Sequence, residues 1–306
     1  MTQNREALQK GRKKKVFLKN LNGWLFASPA VLGFLLFTIG PMLLSLGMSF
    51  TDYSVTGGAD FIGLGNYENM FSGRDPYFYK ALGVTAYYVL LSVPLQIIYS
   101  FLLATLLNQN VRGLSIWRTI FYVPSVVPAV ALSIIWMWIL EPDLGLANEL
   151  LRRLGLPTSQ WIFAEKTVIP TLALMSMWTT GGTTLIFLSS LKNLPKELFE
   201  AVDIDGGNAF HKFKSITIPF MTPIIFYNLV MTLIGSFQIF SQAYIMTDGG
   251  PNNASLFYVY YLYREAFQFS RLGSACAIGW VLFVIIMLAT ALLFKTSNAW
   301  VYYENK

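Results

Sequence analysis

Six long apolar runs, separated by polar and charged segments, set the pattern of the chain, extending roughly from Trp24 to Phe50, Ala81 to Leu107, Ile116 to Leu140, Val168 to Leu191, Pro219 to Phe240 and Ala275 to Phe294. At 1.5 Å per helical residue each is long enough to cross about 30 Å of hydrocarbon. Lipid satisfies no backbone polar group, so such runs must be helical. The pattern predicts an all-α membrane protein with six transmembrane helices. Pro124, Pro128, Pro219 and Pro223 interrupt or start the third and fifth runs and mark kinks or helix starts. Neighbouring helices shelter the carbonyls that such prolines free.

Composition agrees with this pattern. Of 306 residues, 55% are hydrophobic and only 12% charged, against roughly 25% charged in soluble domains. The formal charge of +6 could suit nucleic acid, but its placement argues against that partner. Arg12, Lys13, Lys14, Lys15 and Lys19 crowd just ahead of the first run and read as an orientation signal. With six spans, 15 of the 22 Lys and Arg fall on the side that holds both termini and 7 on the other. The positive-inside rule then places both termini of a multi-pass membrane protein in the cytoplasm. One transmembrane domain, residues 24–306, follows a basic cytoplasmic tail, residues 1–23. The first run is about twice the usual signal-peptide core and lacks a small-x-small cleavage site, so it is expected to stay in the mature chain.

Absences narrow the function. No run carries Asp, Glu, Lys, Arg or His well inside its apolar centre, and only Arg118 lies near a boundary. Proton-coupled carriers, pumps and voltage sensors need ionisable groups at depth. There is no G-x-x-x-x-G-K-[ST] phosphate cradle, no H-E-x-x-H and no Ser/His/Asp set, and His211 is the lone histidine. An enzyme is therefore not expected. Cys276 is the single cysteine, which excludes an intrachain disulfide and a Cys cluster for metal. It reads as a small core residue.

The loop from Asn193 to Pro219 carries the strongest signal. Pro195 suits a first helical turn, Lys196 to Ile204 propagate it, and Gly206 supplies a positive φ to stop it. Asn208 can cap a second helix bearing Phe210 and Phe213, while Leu198, Ala201 and Val202 line a stripe of the first. Two short amphipathic helices are thus expected to expose an apolar ridge flanked by Glu197, Glu200, Asp203 and Asp205. Those acids would be repelled by anionic lipid, so the ridge suits a protein socket better than a membrane surface.

In this loop Glu200, Ala201, Gly206, Ile216 and Pro219 stand in the spacing of the EAA motif, and the chain resembles the permeases of ABC importers. Val202 and Ile218 depart mildly from the motif, where alanine and leucine are usual. Phe61–Tyr67 (F-I-G-L-G-N-Y), Phe121–Pro128 (F-Y-V-P-S-V-V-P), Met246–Pro251 (M-T-D-G-G-P) and the positions Tyr263, Ala266, Phe267 and Gly273 narrow the resemblance to carbohydrate-uptake permeases similar to the larger maltose-transporter membrane subunit. The extra N-terminal spans and large external domain of that subunit are missing, as in the six-span form.

The resemblance implies a coupling helix seated in a cytoplasmic ATPase subunit, with Glu200, Ala201, Asp205, Gly206, Ile216 and Pro219 as the coupling residues. It further implies a second homologous permease subunit, two ATPase subunits that bind ATP and Mg, and an extracellular or periplasmic solute-binding protein. No cofactor is expected in this chain. Sugars are held by aromatic faces and neutral hydrogen-bonding groups. Trp178, Thr179, Thr180 and Thr183 in the fourth run, with Ser236, Gln238 and Phe240 ending the fifth, are the candidate substrate path. Thr and Ser beside Gly181 and Gly182 serve equally for close helix packing. The rivals are an importer of a non-sugar solute and a membrane scaffold with no solute path.

Overall fold

The computed structural model describes residues 23–54, 57–109 and 112–302. The basic tail expected ahead of the first span lies outside those residues but for Gly23. Among the described residues the chain is all-helical, with only two isolated bridges, Thr51 to Phe61 and Ser54 to Arg271.

The first run forms α1, Gly23–Met48, with one π turn at Leu35–Ile39 just ahead of Pro41. None of its most apolar stretch is buried, and Phe26 and Phe37 stand 91% and 82% exposed, a surface that suits a bilayer or a partner subunit rather than water. The segment after it contains a helix that apolar patterning did not predict, α2, Gly65–Phe71. Asn66 donates through Nδ2 to the carbonyls of Ser49 and Thr51, both at 2.9 Å, and Tyr67 donates to Ser49 Oγ at 2.8 Å. The F-I-G-L-G-N-Y segment thus satisfies carbonyls at the end of α1 that no helix would pair.

Helix α3, Phe78–Leu107, is the centre of the molecule and is buried on most of its circumference. Asp75 caps its start, accepting from the N–H groups of Tyr77 at 2.8 Å and Phe78 at 3.2 Å. Its exposed stripe runs through Gly83, Tyr87, Leu90, Pro94, Ile98, Leu102 and Leu106, spaced by three or four.

The third run is not one helix. It divides into α4, Leu114–Tyr122, a tight turn at Val123–Ser125 and α5, Ala129–Ile139, and its two halves bend by 99°. Pro128 is extended, with φ −56° and ψ 138°, and bars Val127 from helical geometry. Helix α6, Leu146–Arg153, lies in the following loop, where buried Asn148 pins the chain. It donates to the carbonyls of Pro142 and Ser159 and accepts from Trp161 Nε1 at 2.9 Å.

The fourth run also breaks, into α7, Val168–Trp178, and α8, Gly181–Lys192, bent by 49°. Thr179 and Thr180 donate their hydroxyls to the carbonyls of Ser176 at 3.0 Å and Met177 at 2.8 Å, competing with the helix's own ladder. A short helix, α9, Lys196–Ile204, precedes α10, Ala209–Phe237. Beyond it lie α11, Tyr258–Tyr263, which runs on into a π turn at Arg264–Gln268, and the last long helix, α12, Leu272–Ser297. Four helices cross-check as long and apolar enough to span, and the count rises to six if each bent pair is one span.

Two apolar clusters hold these helices on α3. The larger gathers Tyr88 and Val89 with Leu172, Phe257, Tyr258 and Ile278. The smaller joins Phe101 and Leu107 to Phe187, Leu191 and Met221.

Candidate functional site

The loop between α8 and α10 is built around two glycines with different tasks. Gly206 has φ 74°, and the N–H of Gly207 reaches the carbonyl of Val202 at 2.8 Å while that of Gly206 reaches Asp203 at 3.1 Å. These are the paired bonds of a Schellman end, which requires a left-handed residue. At Gly207 a Cβ would lie 2.4 Å from Val202 Cγ1, so the close approach itself demands glycine. Asn208 Oδ1 then accepts from His211 N–H at 2.9 Å and caps α10. Lys212 pairs with Asp203 and ties α10 back to α9.

The helix capped by Asn208 is not the separate short one expected from sequence. A π turn at Phe213–Thr217 carries it straight into the fifth span, so the loop helix and the span are one 29-residue rod. Phe213 sits 5.9 Å from Phe101, which meets Phe187 edge to face at 5.4 Å. Such aromatic pairs are each worth roughly 0.5–1.5 kcal/mol beyond their burial.

The six expected coupling residues divide. Glu200, Ala201, Asp205 and Gly206 face solvent on α9 and its end, Ile216 is buried and Pro219 half-buried in the rod. The exposed apolar ridge consists of Ala201, Ile204 and Phe210, with Ile204 at 87% and Phe210 at 71%. Leu198 and Val202, expected on that ridge, turn inward and are half-buried. The i, i+3 and i, i+4 relations of α9 were read correctly and its rolling about its own axis was not.

A cavity of about 460 Å³ lies between α3, α5, the α7–α8 bend and the end of α10. Thr179, Thr183, Ser236, Gln238 and Phe240, of the candidate substrate path, line it. Trp178 and Thr180 do not. They line a second, apolar cavity of about 690 Å³ on another side of the bend, where Trp178 meets Trp136 edge to face at 4.8 Å. Successive helical residues point about 100° apart, so neighbours at a bend serve different spaces.

Tyr88, Gln96, Ser133, Ser176, Thr232 and Gln242 also line the first cavity, and sequence reasoning missed them. The signal was a neutral polar residue alone in an apolar run, as Gln96 is. No charged side chain reaches this cavity. Ser133, Ser176 and Thr179 donate to carbonyls of their own helices, which leaves their oxygens as acceptors. The side-chain amides of Gln96 and Gln242 make no hydrogen bond within the described residues. Phe240 stacks on Tyr244 at 5.4 Å and 11°. Gly181 lets the two bent runs touch, since its Cβ would fall 2.7 Å from Ser125 Oγ and 3.1 Å from Phe121 O. A Cβ at Gly182 would meet nothing within 4 Å.

Two buried tyrosines of α11 pair with carboxylates of neighbouring loops. Tyr261 donates to Asp75 and Tyr260 to Asp248, and burial with the adjacent carboxylate pushes the Tyr260 hydroxyl up to about 12. In the M-T-D-G-G-P turn, Ser255 Oγ lies 2.7 Å from Thr247 Oγ1 and 2.6 Å from Gly250 O, and its single proton serves one of the two. Glu265, its side chain 6% exposed, lies 3.7 Å from Arg271; burial raises its carboxyl above the ordinary range more than Arg271 lowers it.

This architecture has close counterparts. A probable ABC transporter permease protein, YesP of Bacillus subtilis (strain 168), is 42% identical over 305 residues, covering 98% of this chain and 97% of that one. The arabinooligosaccharides transport system permease protein AraP of the same organism is 33% identical, over 96% and 94% of the two chains. The lactose transport system permease protein LacF of Rhizobium radiobacter is 32% identical, over 90% and 92%. A chain of a bacterial alginate ABC transporter, solved with a pentasaccharide-bound periplasmic protein, shares the fold with a TM-score of 0.82 at 22% identity, over 93% of this chain and 96% of that one. The model of the binding-protein-dependent transport system inner membrane component matches residues 96–302, the stretch that holds α4 to α12, the loop between α8 and α10 and all of the first cavity's lining but Tyr88, and the chain belongs to that family.

Proposed function

We propose that the chain is a permease subunit of an ABC importer for neutral sugars or oligosaccharides, in which ATP hydrolysis by a separate subunit drives alternating access. The observation that carries the reading is the continuity of the parts. The ridge on α9 is clamped to α10, and the far end of α10 supplies Ser236 to the uncharged cavity. A push on α9 is therefore delivered as a rigid displacement at the cavity wall, where the bent runs give way.

Each bent pair counts as one crossing in this reading, which makes six spans with both termini cytoplasmic. The exposed acids of α9, Glu200 and Asp205, with Ala201 and Gly206, meet the ATPase, while Ile216 and Pro219 hold the rod in place. A second homologous permease, two ATPase subunits that bind ATP and Mg, and an external solute-binding protein complete the machine. No cofactor is assigned to this chain. Relatives named for arabinooligosaccharides and lactose support a sugar cargo. So does a cavity that offers amides, hydroxyls and the Phe240 ring without charge, at a volume within the usual range of roughly 300–1,000 Å³.

The test is uptake of labelled neutral oligosaccharides by the full complex in proteoliposomes. ATP-dependent uptake is expected, with Gln96→Ala or Thr232→Ala raising KM several-fold while binding-protein-stimulated ATP hydrolysis persists. Transport of charged solutes only, or unchanged KM in both variants, contradicts the reading.

A further inference from the structure

At the outer end of α3 a pocket of about 400 Å³ opens on the periphery, separate from both cavities of the bend. Tyr79, Lys80, Gly83 and Tyr87 form its α3 wall, and Glu165 and Lys166, at the entry to α7, face them. Its back is sealed by buried Val84 and Ile169. Gly83 leaves room there, since a Cβ would meet nothing within 4 Å. Neither Lys80 nor Lys166 forms an ion pair or side-chain hydrogen bond among the described residues, whereas Glu165 accepts from Asn252 Nδ2 at 3.1 Å. Two unpaired ammonium groups thus share one pocket with a single carboxylate.

What lies below the pocket identifies its occupant. The exposed stripe of α3 continues from Tyr87, 51% exposed, to Leu90, Pro94 and Ile98. From the boundary inward the surface is therefore cationic, then aromatic, then apolar. A phospholipid presents phosphate, glycerol backbone and acyl chain in that order, and tyrosines belong at the headgroup level.

We infer that this pocket binds an anionic phospholipid of the outer leaflet. The phosphate sits between Lys80 and Lys166, a headgroup hydroxyl donates to Glu165, and one acyl chain lies along Tyr87, Leu90 and Ile98. The apolar continuation selects a lipid over a free phosphate, which would gain nothing from the stripe. The inference rests on the proposed orientation, with α3 crossing the bilayer from an external start, and is independent of the cargo.

The experiment is native mass spectrometry of the purified complex, with all its subunits, titrated with phosphatidylglycerol or phosphatidylethanolamine. Phosphatidylglycerol is expected to be retained in preference. Lys80→Gln with Lys166→Gln should weaken it about 30-fold, since each near-surface cation contributes a factor of about five. Gly83→Leu, which keeps both charges and fills the pocket, should displace it as well. Arg152→Gln with Arg153→Gln, which removes two charges elsewhere on the same face, should change nothing. Equal retention of the two lipids, equal retention by the Lys80 and Lys166 double variant, or displacement by soluble glycerol phosphate would overturn the inference.

Discussion

Gly206 is held at a positive φ because the last carbonyls of α9 can be paired only by a chain that turns left-handed there. A side chain in that conformation costs roughly 1–2 kcal/mol, and a β-branched one more. Gly206→Val is accordingly expected to abolish copurification of the ATPase while membrane insertion stays normal, and Gly206→Asn, tolerated in the left-handed region, to retain both. Glu200→Lys should weaken ATPase capture without disturbing the Schellman end. Retention of the ATPase by both Gly206→Val and Glu200→Lys, at full transport rate, would contradict these roles. Glu265 binds its proton more tightly folded than unfolded. Its contribution to stability is therefore complete below the ordinary 4.5 and is lost as pH climbs through the raised value. Arg271, Arg264 and Asp75 are the charged groups that act on it. Melting curves of the complex should lose part of their pH slope in this acid range in Glu265→Gln. An unchanged slope would show that another group sets it.

Among the elements, the aromatic joint of Phe101, Phe187 and Phe213 fixes the rod α10 to α3 and α8. Phe187→Ala, fully buried, is expected to cost about 3–5 kcal/mol and to lower the melting temperature of the complex. The touching point of the bent runs gives a sharper contrast: Gly181→Val should impair assembly and uptake, whereas Gly182→Ala, with open space around it, should not. Equal effects of the two would place the contact elsewhere. Apolar length alone located every long run, because hydrocarbon leaves no other home for them. The breaks were only partly legible. Pro124 and Pro128 announced a kink, but its 99° angle depends on what packs around it, and the bend at Thr179 and Thr180 comes from hydroxyls that read equally well as helix surface. Pro219 looked like the start of the fifth helix; instead the preceding π turn absorbs its missing N–H and the helix begins at Ala209. The bend also explains the divided substrate set. Thr179 and Thr183 were legible as neutral polar groups at depth, while the side on which Trp178 would fall was decided by packing against Trp136.

At the scale of the molecule, the chain joins the exposed ridge to the uncharged cavity through one continuous helix, with two bent runs beside it. Its first helix, none of whose residues is buried, and the apolar stripe of α3 present the surface that a bilayer or a partner subunit covers. The orientation that makes this arrangement an importer rests on the distribution of Lys and Arg, and a single labelling measurement reaches it. In a Cys276→Ala background, Ala201→Cys places a thiol on the exposed ridge. A membrane-impermeant maleimide is expected to label it in inverted vesicles and not in intact cells, with protection when the ATPase subunits are bound. Labelling from outside intact cells, or equal labelling with and without the ATPase, would contradict the importer account.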